Sequence, residues 1–175
     1  MLWATEKEYF ENRDDFFIPS ASIATKLIPT PDGKKIIARL SNHTIYYWDI
    51  EKGKIVKRIE REEKGSMWSM LESAVHGNRM VGKVNNWEHL TVWETNSGTV
   101  VNSLSTGDYF EELAISSDGQ VIATLHGKQV TLWRDNTHNK LNQQITKPIE
   151  KIAFSSRGDK IFEVFNDGNM QYDCI

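Results

Sequence analysis

The chain has 175 residues, 39% of them hydrophobic and 26% charged, with 21 Lys and Arg against 24 Asp and Glu for a formal net charge of −3. This is globular composition on the scale of one domain, and it excludes a disordered or collagenous chain. The acidic balance argues against a nucleic-acid binder, because neutralising phosphates requires a basic face.

The first segment, 1–17, opens on Met1-Leu2-Trp3-Ala4, which reads as the third strand of a unit, with a fourth strand or closing strand after it. Segment 20–59 predicts a full unit. Pro31-Asp32-Gly33-Lys34 marks a tight turn before the strand-forming Ile36-Ile37-Ala38. Thr44-Ile45-Tyr46-Tyr47-Trp48-Asp49 predicts a third strand, and Glu51-Lys52-Gly53-Lys54 turns the chain into Ile55-Val56-Lys57-Arg58-Ile59. Segment 66–104 repeats the scheme with Leu90-Thr91-Val92-Trp93-Glu94, the turn Asn96-Ser97-Gly98-Thr99 and Val100-Val101-Asn102-Ser103-Leu104.

Segment 109–145 carries the clearest hairpin, Ile115-Ser116-Ser117-Asp118-Gly119-Gln120-Val121, then Val130-Thr131-Leu132-Trp133-Arg134 and a polar turn at Asp135-Asn136-Thr137. Segment 149–175 echoes that hairpin in Phe154-Ser155-Ser156-Arg157-Gly158-Asp159 and ends in a third strand at Tyr172-Asp173, an incomplete unit. Asp-Gly and Arg-Gly supply the residue with positive φ that a tight hairpin needs. No stretch keeps a helical period, and the prolines fall in connections.

Trp3, Trp48, Trp93, Trp133 and Tyr172 therefore recur about every 40–45 residues at equivalent strand ends. Four antiparallel strands per unit at that spacing predict an all-β, β-propeller-type stack of about four blades. The whole of 1–175 then forms one domain or part of one: a partial ring, half of a ring completed by a dimer, or a small closed ring.

Trp48-Asp49-Ile50-Glu51-Lys52-Gly53 and Trp93-Glu94-Thr95-Asn96-Ser97-Gly98 resemble the third-to-fourth-strand junction of the WD-repeat (tryptophan–aspartate repeat) β-propeller family. Ser116-Ser117-Asp118-Gly119 is similar to that family's first-to-second-strand turn. The repeats are degenerate. Only Trp48 is followed by Asp, and Gly107-Asp108 stands where the family places Gly-His ahead of its His–Asp–Ser/Thr–Trp hydrogen-bond network.

The resemblance implies a non-catalytic protein–protein interaction module or scaffold. It would bind a partner protein or peptide on the face where the fourth-to-first and second-to-third-strand connections gather. The candidate contacts are Asn42, His43, Asn86, Trp87, Glu88, Tyr109, His126 and Lys128. Trp87 stands out because no other unit has an aromatic there, and Trp is favoured at interface hot spots. Trp68, aligned with Phe110 and Ile149, reads as core.

No nucleophile elbow, phosphate loop, dinucleotide fingerprint or zinc-protease helix is present in the sequence, so no enzyme, cofactor or metal is expected. The five histidines have no ligand spacing; His43, His89 and His126 fall in or beside successive second-to-third-strand loops, where they read as a solvated rim. Neighbouring acids such as Glu111-Glu112 point to opposite faces of a strand and cannot converge on a substrate. The alternatives are a propeller-type enzyme, hydrolase or quinoprotein-like, with a central site, and an inactive sensor segment of a larger signalling protein.

No window approaches the ~18 apolar residues that span a bilayer, and Met1 to Glu8 carry neither the basic nor the apolar region of a secretory signal. Cys174 alone forms no intrachain disulfide or structural zinc site, and one residue from the end it is no prenylation signal. A cytoplasmic protein is expected, with the Asn42-His43-Thr44 sequon unused and no nucleic-acid or membrane partner.

Overall fold

Short β-branched and aromatic runs broken every few residues by glycine turns favour antiparallel meanders over helices. The structure, a computed structural model, describes residues 23–41, 44–59, 71–73, 77–83, 89–107, 109–134, 137–141 and 147–175, and among them every regular element is a strand. The chain divides into two compact units, Met1–Glu60 and Arg61–Ile175.

The first unit holds one four-stranded sheet: β1 (Ala24–Pro29), β2 (Lys35–Leu40), β3 (Ile45–Asp49) and β4 (Lys54–Ile59), paired in sequence order. Leu40, Tyr46 and Ile55, with Ala38 and Trp48, form its apolar cluster. Ile37, Ile45 and Tyr47 alternate with these residues and are buried as well. This burial on both faces is why β3 reads as a continuous apolar run rather than an alternating one.

The second unit holds three sheets. The first is β5 (Leu71–Ser73), β6 (Arg79–Gly82), β7 (His89–Glu94) and β8 (Thr99–Ser105). The next is β9 (Glu112–Ile115), β10 (Ile122–His126), β11 (Gln129–Arg134) and β12 (Thr137–Lys140). The last has three strands among the described residues: β13 (Ile149–Phe154), β14 (Lys160–Phe165) and β15 (Met170–Cys174). The polar turn expected over Asp135-Asn136-Thr137 is shorter than that, since Thr137 already pairs with Arg134.

These three sheets pack face to face. Val81, Leu90, Val92 and Leu104 meet Phe110, Leu113, Ile122 and Trp133 on one side of the middle sheet. On its other side Ala123, Leu125, Val130 and Leu132 meet Ile149, Ile152, Ile161 and Phe165. Burying such a side chain contributes roughly 1.5–3 kcal/mol each, so the middle sheet is held from both faces.

The repeat is also written in the turns. Gly33, Gly119 and Gly158 have φ of 68°, 77° and 72°, and their amides donate to the carbonyls of Thr30, Ser116 and Ser155 at 2.9 Å in every case. Those three hydroxyls donate to Asp32, Asp118 and Asp159 at 2.6, 2.6 and 2.7 Å. They also accept the amides of Lys35, Val121 and Lys160. The hydroxyl bond comes first among the causes that hold all three carboxyls below their ordinary range.

Within the second unit the turns nest. The Gly77 amide donates to the Ser117 carbonyl at 2.9 Å, and a Cβ on Gly77 would stand 2.3 Å from the Asp118 carbonyl oxygen. A Cβ on Gly158 would touch Ser116 at 3.4 Å.

Candidate partner-binding face

In a meander, the turn joining second and third strands lies at the end where the chain enters from the preceding sheet. Tyr109 and Phe110 enter β9, and His126 to Lys128 turn β10 into β11, so both segments meet at one end of the middle sheet. Phe110 is buried and Tyr109 is 44% exposed. The Tyr109 and His126 rings stand edge to face, with centroids 6.3 Å apart and planes at 78°, the arrangement favoured by the ring quadrupole. His126 and Lys128 are exposed.

The turn is tied down by its neighbours. The Gly127 amide donates to Glu111 Oε2 at 3.1 Å, and its carbonyl accepts from the Ile149 amide at 3.3 Å. The Glu111 amide in turn donates to the Leu125 carbonyl at 2.7 Å. Glu111 and Glu112 do diverge: Glu112 pairs with Lys151 on β13, while Glu111 holds the turn.

Lys83, at the end of β6, completes the cluster. It is 1% exposed, with Nζ 4.8 Å from the centroid of the Tyr109 ring and 4.5 Å from that of Phe110. Burial pushes its pKa down to about 8, and the two ring faces offer the ammonium partial compensation. Sequence reasoning missed Lys83. Its one signal is a lysine directly after the apolar Met80-Val81-Gly82, a place where an exposed loop residue is the ordinary reading.

The last sheet repeats the arrangement in polar form. Lys147, entering β13, pairs with Asp167 in the turn between β14 and β15. Lys147 and the Asn169 amide hold the Asp167 carboxyl below its usual range. One end of these sheets thus presents an exposed aromatic edge flanked by charges of both signs.

Of the candidate contacts, Tyr109 and His126 come together, and Lys128 sits on the same turn. Asn42, His43, Asn86, Trp87 and Glu88 lie outside the described residues, as does Trp68.

Trp48, Trp93 and Trp133 occupy equivalent positions on the third strand, opposite Ile36, Met80 and Ile122 of the second. Tyr172 does not: it pairs with Phe162, whereas Ile161, the residue matching Ile122, pairs with Asp173, so Tyr172 is one residue out of register and is exposed. Trp3 lies outside the described residues. The acid after the indole caps its own turn: Asp49 accepts the Lys52 amide and Glu94 the Ser97 amide, both at 2.9 Å. Glu94 therefore serves where the sequence lacks the expected Asp. Among the described residues only the middle sheet carries a hydroxyl–indole bond, from Trp133 Nε1 to Thr124 Oγ1 at 2.9 Å. The matching positions of the two preceding sheets hold Ala38 and Gly82, which have no side-chain acceptor.

No protein-family model and no curated protein matches the chain. Among solved structures it is similar to the β-propeller domain of Cps50 (Swd1) from Myceliophteria thermophila, at 10% identity and a TM-score of 0.66 over 86% of this chain and 50% of that one. It is also similar to KlAtg21, solved in complex with the coiled-coil of AgAtg16, at 15% identity and a TM-score of 0.70 over 87% of this chain and 52% of that one. The chain spans about half the length of either. At these identities the likeness establishes the fold, which is of β-propeller type. Among the described residues no helix is long and apolar enough to cross a membrane.

Proposed function

We propose that this chain is a non-catalytic protein–protein interaction module of the WD-repeat type, with degenerate repeats. It takes a partner protein or peptide on the face where the sheet-to-sheet and second-to-third-strand connections gather. The observation that carries the reading is the Lys83–Tyr109–His126 cluster, where connections of two sheets put an exposed aromatic edge beside cations on a rigid base. Rigid sheets presenting variable loops are a common basis for recognition. The bond between Trp133 and Thr124 and the turn-capping acids after Trp48 and Trp93 support the WD-repeat assignment.

The contacts are Tyr109, His126 and Lys128, joined by Asn86, Trp87 and Glu88 in the connection after Lys83 and by Asn42 and His43 in the corresponding connection of the first sheet. The exposed thiol of Cys174 suits a reducing, cytoplasmic setting. In KlAtg21 the partner is a coiled-coil, which makes a protein partner the first to seek here.

Cross-linking with mass spectrometry on partner complexes tests the proposal. Links from Lys128 and Lys147 to a partner, with Tyr109→Ala and Trp87→Ala each weakening capture at an unchanged Tm, are the expected result. Links confined to the Asp118 or Asp159 turns, or turnover in a screen of glycosides and esters, would refute it.

A further inference from the structure

The opposite end of the second unit holds a cleft the connection face does not use. It has a volume of about 110 Å³ and lies between the sheet of β5–β8 and that of β9–β12. Val92, Leu104, Ile122 and Trp133 make its apolar wall, Val101 stands at its edge, and Arg79 and Gln120 stand at its mouth.

The strand beside it is unusual. β8 is the outermost strand of its sheet, so one edge of its backbone has no strand partner among the described residues. Outer strands are ordinarily guarded by charge or proline. β4 obeys, with Lys54, Lys57 and Arg58, whereas Thr99-Val100-Val101-Asn102-Ser103-Leu104-Ser105 carries neither. The register explains the exposure. Val92 pairs with Asn102 and Trp93 with Val100, so Val101 is the extra residue of a β-bulge and is 53% exposed above the cleft.

Charge fixes the kind of occupant. Arg79 Nη1 reaches the Gly119 carbonyl at 3.5 Å, and no carboxylate among the described residues pairs with it. Asn102 and Gln120 beside it are neutral. A partly buried guanidinium next to an apolar slot selects a carboxylate adjoining an apolar side chain.

We propose that β8 and this cleft form a second docking surface. It receives an extended segment of a partner protein that adds to the β8 edge, places one branched aliphatic side chain against Trp133 and Ile122, and pairs an Asp or Glu with Arg79. Main-chain pairing supplies affinity and the slot supplies selectivity. The hydroxyl–indole bond holds Trp133 in place before anything binds, which lowers the ordering cost.

The test uses phage-displayed random heptapeptides panned on the whole chain, with the enriched sequence resynthesised and titrated by fluorescence polarisation. Enrichment of a branched aliphatic residue within two positions of Asp or Glu is expected. Arg79→Glu and Gln120→Glu should each weaken binding about tenfold or more at an unchanged Tm, and Arg79→Lys should retain most of it. Val101→Lys should weaken binding similarly by guarding the edge. The proposal is overturned if no such pattern emerges, or if binding ignores both charge substitutions. It is also overturned if Tyr109→Ala abolishes binding, which would move the peptide to the connection face. A concentration-dependent dimer removed by Val101→Lys would overturn it in favour of a second copy of this chain.

Discussion

Trp133 donates its indole N–H to the Thr124 hydroxyl at 2.9 Å, and both side chains are buried between the last three sheets. The bond satisfies a polar group that would otherwise lose water without compensation. Thr124→Val keeps the shape and removes the acceptor, so it should cost about 1–3 kcal/mol in urea denaturation. Thr124→Ser should cost clearly less. Equal losses in the two variants would show that the methyl, not the hydroxyl, matters.

Gly77 and Asp118 approach so closely that a Cβ on the glycine would stand 2.3 Å from the Asp118 carbonyl oxygen. Backbone lies on both sides of this contact, so relief requires the sheets to move apart. Gly77→Ala is expected to lower stability by about 1–3 kcal/mol or more, the usual cost of overpacking. A Tm equal to that of the parent would mean the turns do not nest.

Much of this fold is legible in the sequence, for physical reasons. Trp48, Trp93 and Trp133 share one register position because strand length and turn chemistry together fix the phase of each unit. Tyr172 misses that position by one residue, because spacing along the chain does not fix register to a single residue. Asp118-Gly119 announces its hairpin through the positive φ that glycine permits. The hydroxyl at Thr30, Ser116 and Ser155 was legible only as turn polarity, since its three-way bonding depends on the folded turn. The bulge at Val101 is invisible because a register shift leaves no mark on composition. Burial of Lys83 is equally silent, because it depends on Tyr109 and Phe110 arriving from a different sheet.

Lys83 gives that burial a measurable signature. Its pKa of about 8, below the ordinary 10.5, means the fold disfavours its charged form. Below about pH 8 the lysine is charged in both folded and unfolded chains, and the fold bears the burial cost in full. Between about 8 and 10.5 the unfolded chain holds more protons, so stability rises with pH. Thermal melts across that window should show Tm climbing for the parent and a flatter profile for Lys83→Met. Parallel profiles would place the ammonium in water.

Glu163 on β14 is 0% exposed, and burial raises its pKa; the Gln171 amide donates to it at 2.6 Å and Asp173 adds repulsion. A raised carboxyl pKa acts in the opposite sense to that of the turn aspartates. The stability it contributes is present below the ordinary value of 4.5 and is lost as pH rises through the folded pKa. Glu163→Gln should therefore be more stable than the parent at neutral pH, with the difference vanishing in acid. A variant less stable at neutral pH would show that the carboxylate is ionised and needed.

Contact across sheets decides the account. In a nuclear Overhauser spectrum, the Trp133 indole protons should show cross-peaks to the methyl groups of Val92 and Leu104, which belong to the neighbouring sheet yet share its cluster. An indole with cross-peaks only to its own hairpin would contradict the stacked sheets, and with them both proposed binding surfaces.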